Sequence, residues 1–134
     1  IHDYRFSYDK MLQFDGKTAP FILYSRVRAL SILRKVSSQF EIHDLSNLDC
    51  KEERDLVLLL LEFSDVVKRV VELRTPHLLA DYAYQVAKQF NSFVRDCRVE
   101  GSTREKERSF ICRMTADLLS LSLRLLGIDL VDRM

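Results

Sequence analysis

Apolar positions recur along this chain at helical intervals, with few of the strict alternations that a strand requires. In residues 16–36 (GKTAPFILYSRVRALSILRKV), Leu23, Val27, Leu30 and Leu33 follow one another at four, three and three residues, which predicts one buried stripe of a helix. Thr18 and Pro20 mark its start: a hydroxyl that can cap, then a proline whose missing N–H costs nothing in the first turn. Asp49, with Glu52 three residues on, reads as a capping box for a helix through Leu56, Leu59, Leu60 and Phe63. Ser64 is placed to cap a shorter helix carrying Val66, Val67, Val70, Val71 and Leu73. Thr75-Pro76 repeats the cap-then-proline start, and Leu79, Tyr82, Val86, Phe90 and Phe93 follow at threes and fours. Ser102 and Glu105 form another capping box, opening a long helix with Phe110, Met114, Leu118, Leu121 and Leu125 as its stripe and Gly127 as its stop. The pattern predicts an all-α, antiparallel-type bundle of about five helices, with residues 39–48 and 98–102 as the best loops. Val66–Val71 is β-branched, but the charges at 65, 68 and 69 do not alternate as a half-buried strand demands.

Composition agrees with helices and narrows the class. Only 3 glycines and 2 prolines in 134 residues leave little material for many turns. At 47% hydrophobic and 31% charged, residues 1–134 fit a single globular domain with its own core. No run approaches the ~18 apolar residues of a membrane span, and no signal peptide is evident, so the expected setting is cytoplasmic with no membrane partner. The chain begins at Ile1 without a helix start, as expected of a piece excised from the C-terminus of a longer protein. A net charge of +1 hides segregation. Residues 16–40 carry five basic groups and no acid, whereas residues 41–65 carry eight acids against Lys51 and Arg54. One face can therefore attract a polyanion although the whole chain is near neutral. The three cysteines, at 50, 97 and 112, are odd in number and lack C-x-x-C spacing. They argue against a disulfide framework or a zinc ribbon and fit reduced thiols, with Cys112 as core filling.

Candidate chemistry gathers on the first long helix. Phe21, Tyr24 and Arg28 stand at i, i+3 and i+7 and share a face distinct from the apolar stripe. Two aromatic rings and a guanidinium in line can stack on unpaired bases and hold a phosphate, with Lys17 and Arg26 as further cations. Periodicity alone is equally compatible with Phe21 and Tyr24 as core aromatics and the cations as a solvated face. Catalytic constellations are lacking: His2, His43 and His77 are far apart, Gly16, Gly101 and Gly127 are isolated, and Glu52-Glu53 are adjacent. Residues 95–113 are rich in both signs and read as a solvated face, with Arg95, Arg98 and Arg104 as weaker phosphate candidates.

Four segments in order carry a resemblance across nearly the whole chain. YDKML at 8–12, GKTAPFILYSRVRALSIL at 16–33, PHLLADYAYQVAKQFNSFVRDCRV at 76–99 and LLGIDLVDRM at 125–134 are similar to successive signatures of one family. The chain resembles the C-terminal anticodon-binding domain of arginyl-tRNA synthetases, the helical domain named for an Asp-Ala-Leu-Arg motif. The second of these segments matches Gly-x-Thr-Gly/Ala-x-Tyr-x-x-Tyr-x-x-x-Arg, the most specific signature. The third has Asp81, Tyr82, Tyr84, Phe90, Asn91 and Phe93 in place.

The resemblance implies a domain that binds the anticodon stem-loop of tRNA(Arg) and positions that tRNA for ATP-dependent aminoacylation. The catalytic domain would lie in cis, outside these residues, and hold the ATP and Mg; this domain would need no cofactor or metal of its own. KMLQF at 10–14 is not the Lys-Met-Ser-Lys-Ser motif of class I synthetases, and no histidine pair fits His-Ile-Gly-His. Carried over by position, Phe21 and Tyr24 match two stacking tyrosines, Arg28 matches a phosphate-binding arginine, and Met134 matches a terminal methionine near an anticodon base. The same resemblance brings the terminus close to the first long helix. Phe21 lacks the hydroxyl, Leu23 replaces a common Gln, and Arg26 replaces a common His. These departures bear on base-specific hydrogen bonds more than on binding, because stacking tolerates any base. Three alternatives remain at this stage: a non-catalytic tRNA-binding protein sharing the domain, the cysteinyl-tRNA synthetase counterpart, and a helical protein-interaction bundle.

Overall fold

A computed structural model describes residues 7–13, 16–36 and 48–134. Their secondary structure is helical: α1 (Tyr8–Met11), α2 (Ala19–Lys35), α3 (Lys51–Leu61), α4 (Phe63–Leu73), α5 (His77–Asp96) and α6 (Glu105–Leu125). Five long helices match the expected number, and α1 is a single added turn. The loop expected at 39–48 falls outside the described residues except for Leu48, as do His2 and His43.

Paired contacts fix the helix directions. Lys17 meets Asp81, Phe21 meets Tyr84 and Arg28 meets Asn91, so α2 and α5 run the same way. Cys50 meets Cys97, and Leu59 O accepts from Tyr82 Oη at 2.8 Å, so α3 runs against α5. Asp49 meets Arg104 and Glu53 meets Arg108, so α3 and α6 run together, and α6 therefore opposes α5 and α2. The result is a four-helix bundle of α2, α3, α5 and α6, with α4 laid against α5.

The α5 stripe is as the pattern predicts: Leu79, Tyr82, Val86, Phe90 and Phe93 are all buried. The other stripes shift. On α6 the buried side is Ser109, Ile111, Cys112, Thr115, Ala116, Leu118, Leu119, Ser122 and Leu123. Of the predicted stripe only Leu118 is buried, while Met114, Leu121 and Leu125 are exposed. Small residues on the inner side let α6 approach α2 closely, leaving its bulkier residues outside. On α2 the buried residues are Ile22, Ser25, Arg26, Val27 and Ala29, with Leu23, Leu30 and Leu33 at the half-buried margin.

Helix ends differ from the sequence reading in four places, the fourth being α6, whose N-cap is Arg104 and not Ser102. Thr18 caps α2 as expected, its hydroxyl accepting from Phe21 N at 3.3 Å. Asp49 does not cap α3; the N-cap is Cys50, and Asp49 instead pairs with Arg104 at 2.8 Å. Ser64 lies inside α4, and Thr75 contributes no capping side chain to α5, its buried hydroxyl finding no partner. At α6, Glu105 Oε2 reaches back to Gly101 N at 2.6 Å, while the Ser102 hydroxyl donates to Val99 O. Gly127 ends α6 in the left-handed conformation (φ 74°), where Ile128 N bonds Leu123 O at 2.9 Å, as its position predicts.

Two features at the α3 start clamp the bundle. Cys50 and Cys97 are joined as a disulfide, correcting the expectation of reduced thiols at those positions; Cys112 stays free and buried in the core. Spacing could not reveal a pair 47 residues apart whose partners meet only after α3 and α5 pack. Nearby, Glu53 is fully buried and paired to Arg108, with Arg104 at 3.6 Å. A carboxylate there is tolerable only because two guanidinium groups face it.

Candidate nucleic-acid interface

The outer face of α2 is built by α5. Asp81, Tyr84, Lys88 and Asn91 stand at i, i+3, i+7 and i+10 of α5, hence on one face, and three of them meet α2. Lys17 Nζ pairs with Asp81 at 3.0 Å and lies 6.0 Å from the Tyr84 ring centre. Phe21 packs on Tyr84 with ring centres 5.4 Å apart. Arg28 Nη1 donates to Asn91 Oδ1 at 2.9 Å. Asn91 Nδ2 donates to Ser25 Oγ at 2.8 Å and Ala87 O at 3.0 Å, and Ser25 Oγ donates to Phe21 O at 2.9 Å. The α5 segment that the sequence marks beside the α2 segment is thus, in part, its mounting.

Each candidate residue has a distinct place on that mounting. Tyr24 is 45% exposed and stands between Phe21 and Arg28 on the helix surface. Phe21 is half-buried and packs on Tyr84. Arg28 is half-buried and oriented by a neutral amide, which fixes the guanidinium without cancelling its charge. Lys17 is exposed at the helix start, beside a groove lined by Lys10, Met11, Gln13 and Gly16. Met134 is 55% exposed at the end of a segment that reaches back to α2. Lys88, exposed one turn beyond Tyr84, joins the same face and was missed in the sequence; only the α2–α5 packing puts it there.

Arg26 does not belong to this face. It is two residues from Arg28 and therefore points roughly the opposite way around the helix. Its side chain is 9% exposed and bonds to Ser120, Val131 and Asp132. The weaker phosphate candidates are also committed, and at the far end of α5 from Lys17: Arg95 to Asp96, Arg98 to Glu100 O, and Arg104 to Asp49. Chemically, the face offers an exposed aromatic ring, a held guanidinium and exposed lysines, which suits bases and phosphates rather than bond making.

Comparison with known proteins gives the family of the chain. The family described as the DALR anticodon binding domain matches residues 22–134. The chain is 37% identical over 135 residues to an arginine–tRNA ligase of Chlamydia abortus, spanning 100% of this chain and 24% of that protein. It is 42% identical to the enzyme of the same name from Laribacter hongkongensis, over 98% of this chain and 23% of that one. Among solved structures, the arginyl-tRNA synthetase of Thermus thermophilus superposes with a TM-score of 0.82 at 34% identity, covering 96% of this chain and 23% of that one. That of Plasmodium falciparum gives 0.84 at 34% identity, covering 99% and 24%. The chain thus spans about a quarter of the length of these relatives.

Proposed function

The chain belongs to the DALR anticodon-binding domain family, and from that premise we propose that it docks the anticodon stem-loop of tRNA(Arg) on the outer face of α2. Tyr24 stacks on an unpaired base, Arg28 holds a backbone phosphate, and Lys17 and Lys88 supply screened attraction around them. Phe21 packs on Tyr84 and so anchors α2 to α5 one turn from Tyr24. Met134 approaches the loop from the terminal segment. Docking so positions the acceptor end of the same tRNA in a catalytic region outside these residues, which carries ATP and Mg and performs arginine-tRNA ligation in the cytoplasm. Among the described residues no helix is long and apolar enough to cross a membrane.

The observation that carries this reading is the set of three cross-helix contacts, Lys17–Asp81, Phe21–Tyr84 and Arg28–Asn91, which hold the α2 face in one geometry while Tyr24 stays open. A protein-interaction bundle needs no amide that orients an arginine while sparing its charge. The test is binding to a tRNA(Arg) anticodon stem-loop across a salt series. Tyr24→Ala is expected to weaken binding by the ~1–3 kcal/mol of one stacked base, about 5- to 150-fold. Arg28→Ala is expected to reduce the salt slope by roughly 0.7–0.9, the signature of one lost phosphate contact on a single strand or duplex. If neither change alters affinity, the assigned face is wrong.

A further inference from the structure

Where α3 begins and α5 ends, the fold brings together three side chains that the α2 face does not use. Cys50 is the N-cap of α3, Glu52 lies in its first turn, and Cys97 is the C-cap of α5. The two sulfurs and a Glu52 carboxylate oxygen all lie within 4.8 Å of one another. Cys97 is buried while Cys50 and Glu52 are half-buried, so a cation can reach the cluster from solvent. Glu52 Oε2 stands 3.1 Å from Cys50 Sγ. A disulfide sulfur carries no proton, so with the Cys50–Cys97 bond closed this contact is no hydrogen bond. A carboxylate oxygen then faces sulfur lone pairs with nothing shared between them. Opening the bond supplies what the contact lacks, first a thiol proton and then a cation. The frame around the cluster does not depend on the S–S bond. Asp49 pairs with Arg104 at 2.8 Å, Glu53 pairs with Arg108, and Tyr82 Oη donates to Leu59 O at 2.8 Å. These contacts hold α3 on α6 and α5 when the sulfurs part, so the three ligands stay in place.

We propose that reduction turns Cys50, Cys97 and Glu52 into a zinc site that staples α3 to α5. A dithiol reductant opens the S–S bond: two electrons and two protons pass to the sulfurs, and the dithiol closes to its own disulfide. Zn2+ then takes both sulfurs as thiolates, releasing their protons to water, with the Glu52 carboxylate as third ligand. Tetrahedral zinc, with sulfur at ~2.3 Å and oxygen at ~2.0–2.2 Å, needs ligand atoms roughly 3.6–3.8 Å apart. That spread falls inside the 4.8 Å limit of the cluster. Two thiolates select zinc over magnesium or calcium, and water fills the fourth position. The loaded group keeps one negative charge, which Arg95, in electrostatic contact with Glu52, offsets. No motif spacing announces the site, because positions 50, 52 and 97 meet only in the fold. The staple persists in both redox states, covalent when oxidised and metal-bridged when reduced. It lies at the opposite end of α5 from Lys17 and is independent of the RNA reading.

The experiment titrates Zn2+ alone into the complete protein under inert gas, after reduction with a phosphine that leaves no competing thiol. Stoichiometry is read as the difference between parent and variants, so that any other zinc on the protein cancels. The reduced parent is expected to bind one equivalent more than reduced Cys50→Ser or Cys97→Ser, and the oxidised parent is expected to match those variants. Cys50→Ser, at a half-buried position, keeps the test open if Cys97→Ser fails to fold. Glu52→Gln is expected to weaken the extra site at least about tenfold, the lower end of the loss from removing even an outer-shell partner. Co2+ in place of Zn2+ is expected to give the reduced parent a thiolate-to-cobalt charge-transfer band that both serine variants weaken and added Zn2+ abolishes. Equal Zn2+ uptake by the reduced parent and the serine variants overturns the proposal, as does equal uptake by the reduced and oxidised parent. Unchanged affinity in Glu52→Gln overturns the three-ligand site.

Discussion

Replacing Asn91 is the sharpest probe of how the α2 face works, because the proposal has Asn91 touch no RNA. In the structure its side chain accepts from Arg28 and donates to Ser25 and to Ala87 O. Asn91→Ala removes all three bonds, but Ser25 keeps its bond to Phe21 O. At about 1 kcal/mol per bond, the cost to stability is about 1–3 kcal/mol. An unfolding entropy of roughly 2.1 cal/mol/K per residue then converts this into a Tm lower by about 4–11 °C. The effect on RNA has a separate origin. Arg28, released from its amide, must be ordered anew at a cost of about 1–2 kcal/mol, which predicts roughly a 5- to 30-fold weaker Kd. Asn91→Asp separates charge from geometry. A carboxylate would hold Arg28 as firmly but neutralise it, so affinity and salt slope should both fall, while loss of the bond donated to Ala87 O also lowers Tm. Kd by fluorescence anisotropy and Tm by circular dichroism are measured on the two variants, Arg28→Ala and the Asn91→Ala/Arg28→Ala pair. If Asn91 acts through Arg28, the pair binds no worse than Arg28→Ala. Losses that multiply would refute the reasoning, as would Asn91→Asp binding as tightly as the parent.

Glu53→Gln leaves the largely enclosed Arg108 against a neutral partner. The ~3–5 kcal/mol cost of breaking a buried pair predicts a Tm lower by roughly 11–18 °C, and a shift under about 3 °C would contradict the network. The Cys50–Cys97 disulfide closes a segment of 47 residues, for which chain entropy gives about 4 kcal/mol. Dithiothreitol or Cys97→Ser is therefore expected to lower Tm by roughly 14 °C. A thiol assay on denatured protein should find one free cysteine before reduction and three after it; three at the outset would exclude the bond. Burial raises the Cys112 thiol from 9.0 to about 12, and burial with Glu62 raises the Tyr82 phenol well above 10.0. The native state therefore keeps protons that the unfolded chain has lost, and stability, complete below pH about 9, declines as pH rises through the folded values. Cys112→Ala should flatten that decline in urea midpoints taken between pH 8 and 11; an unchanged slope counts against the thiol.

What the sequence made legible follows from side-chain size. The α5 stripe was readable because Leu79, Tyr82, Val86, Phe90 and Phe93 are large and stand on one side only. On α6 the large residues Met114, Leu121 and Leu125 face outward, and the inner side is built of Ser109, Cys112, Thr115, Ala116 and Ser122. A pattern weighted by hydrophobicity picks the bulky side, while close helix packing selects the small one. Asp49 satisfied the spacing of a capping box, but Arg104, far off in sequence, is a stronger partner than a backbone N–H. The candidate site was legible as a set of residue types and not as geometry. Arg26 and Arg28 are the same residue two positions apart, and only the packing of α5 on one side and the terminal segment on the other tells them apart.

That difference explains how a nearly neutral chain can hold a polyanion. Counting cations on residues 16–36 overstates what is available, since Arg26 is spent internally and Lys17 is half-compensated by Asp81. What remains near Tyr24 is one guanidinium, held by a neutral amide. Exposed lysines add attraction that salt screens beyond about 10 Å. A fixed guanidinium adds a contact whose ordering cost was met on folding. The α2 helix is thus braced on two sides, by α5 through Asn91 and by the terminal segment through Arg26, and only the Asn91 brace lies on the side of Tyr24 and Arg28. Affinity in such a site depends on how many groups are held in place more than on how many are charged. Loosening the Asn91 brace should therefore cost binding with no change in net charge, as Asn91→Ala would show.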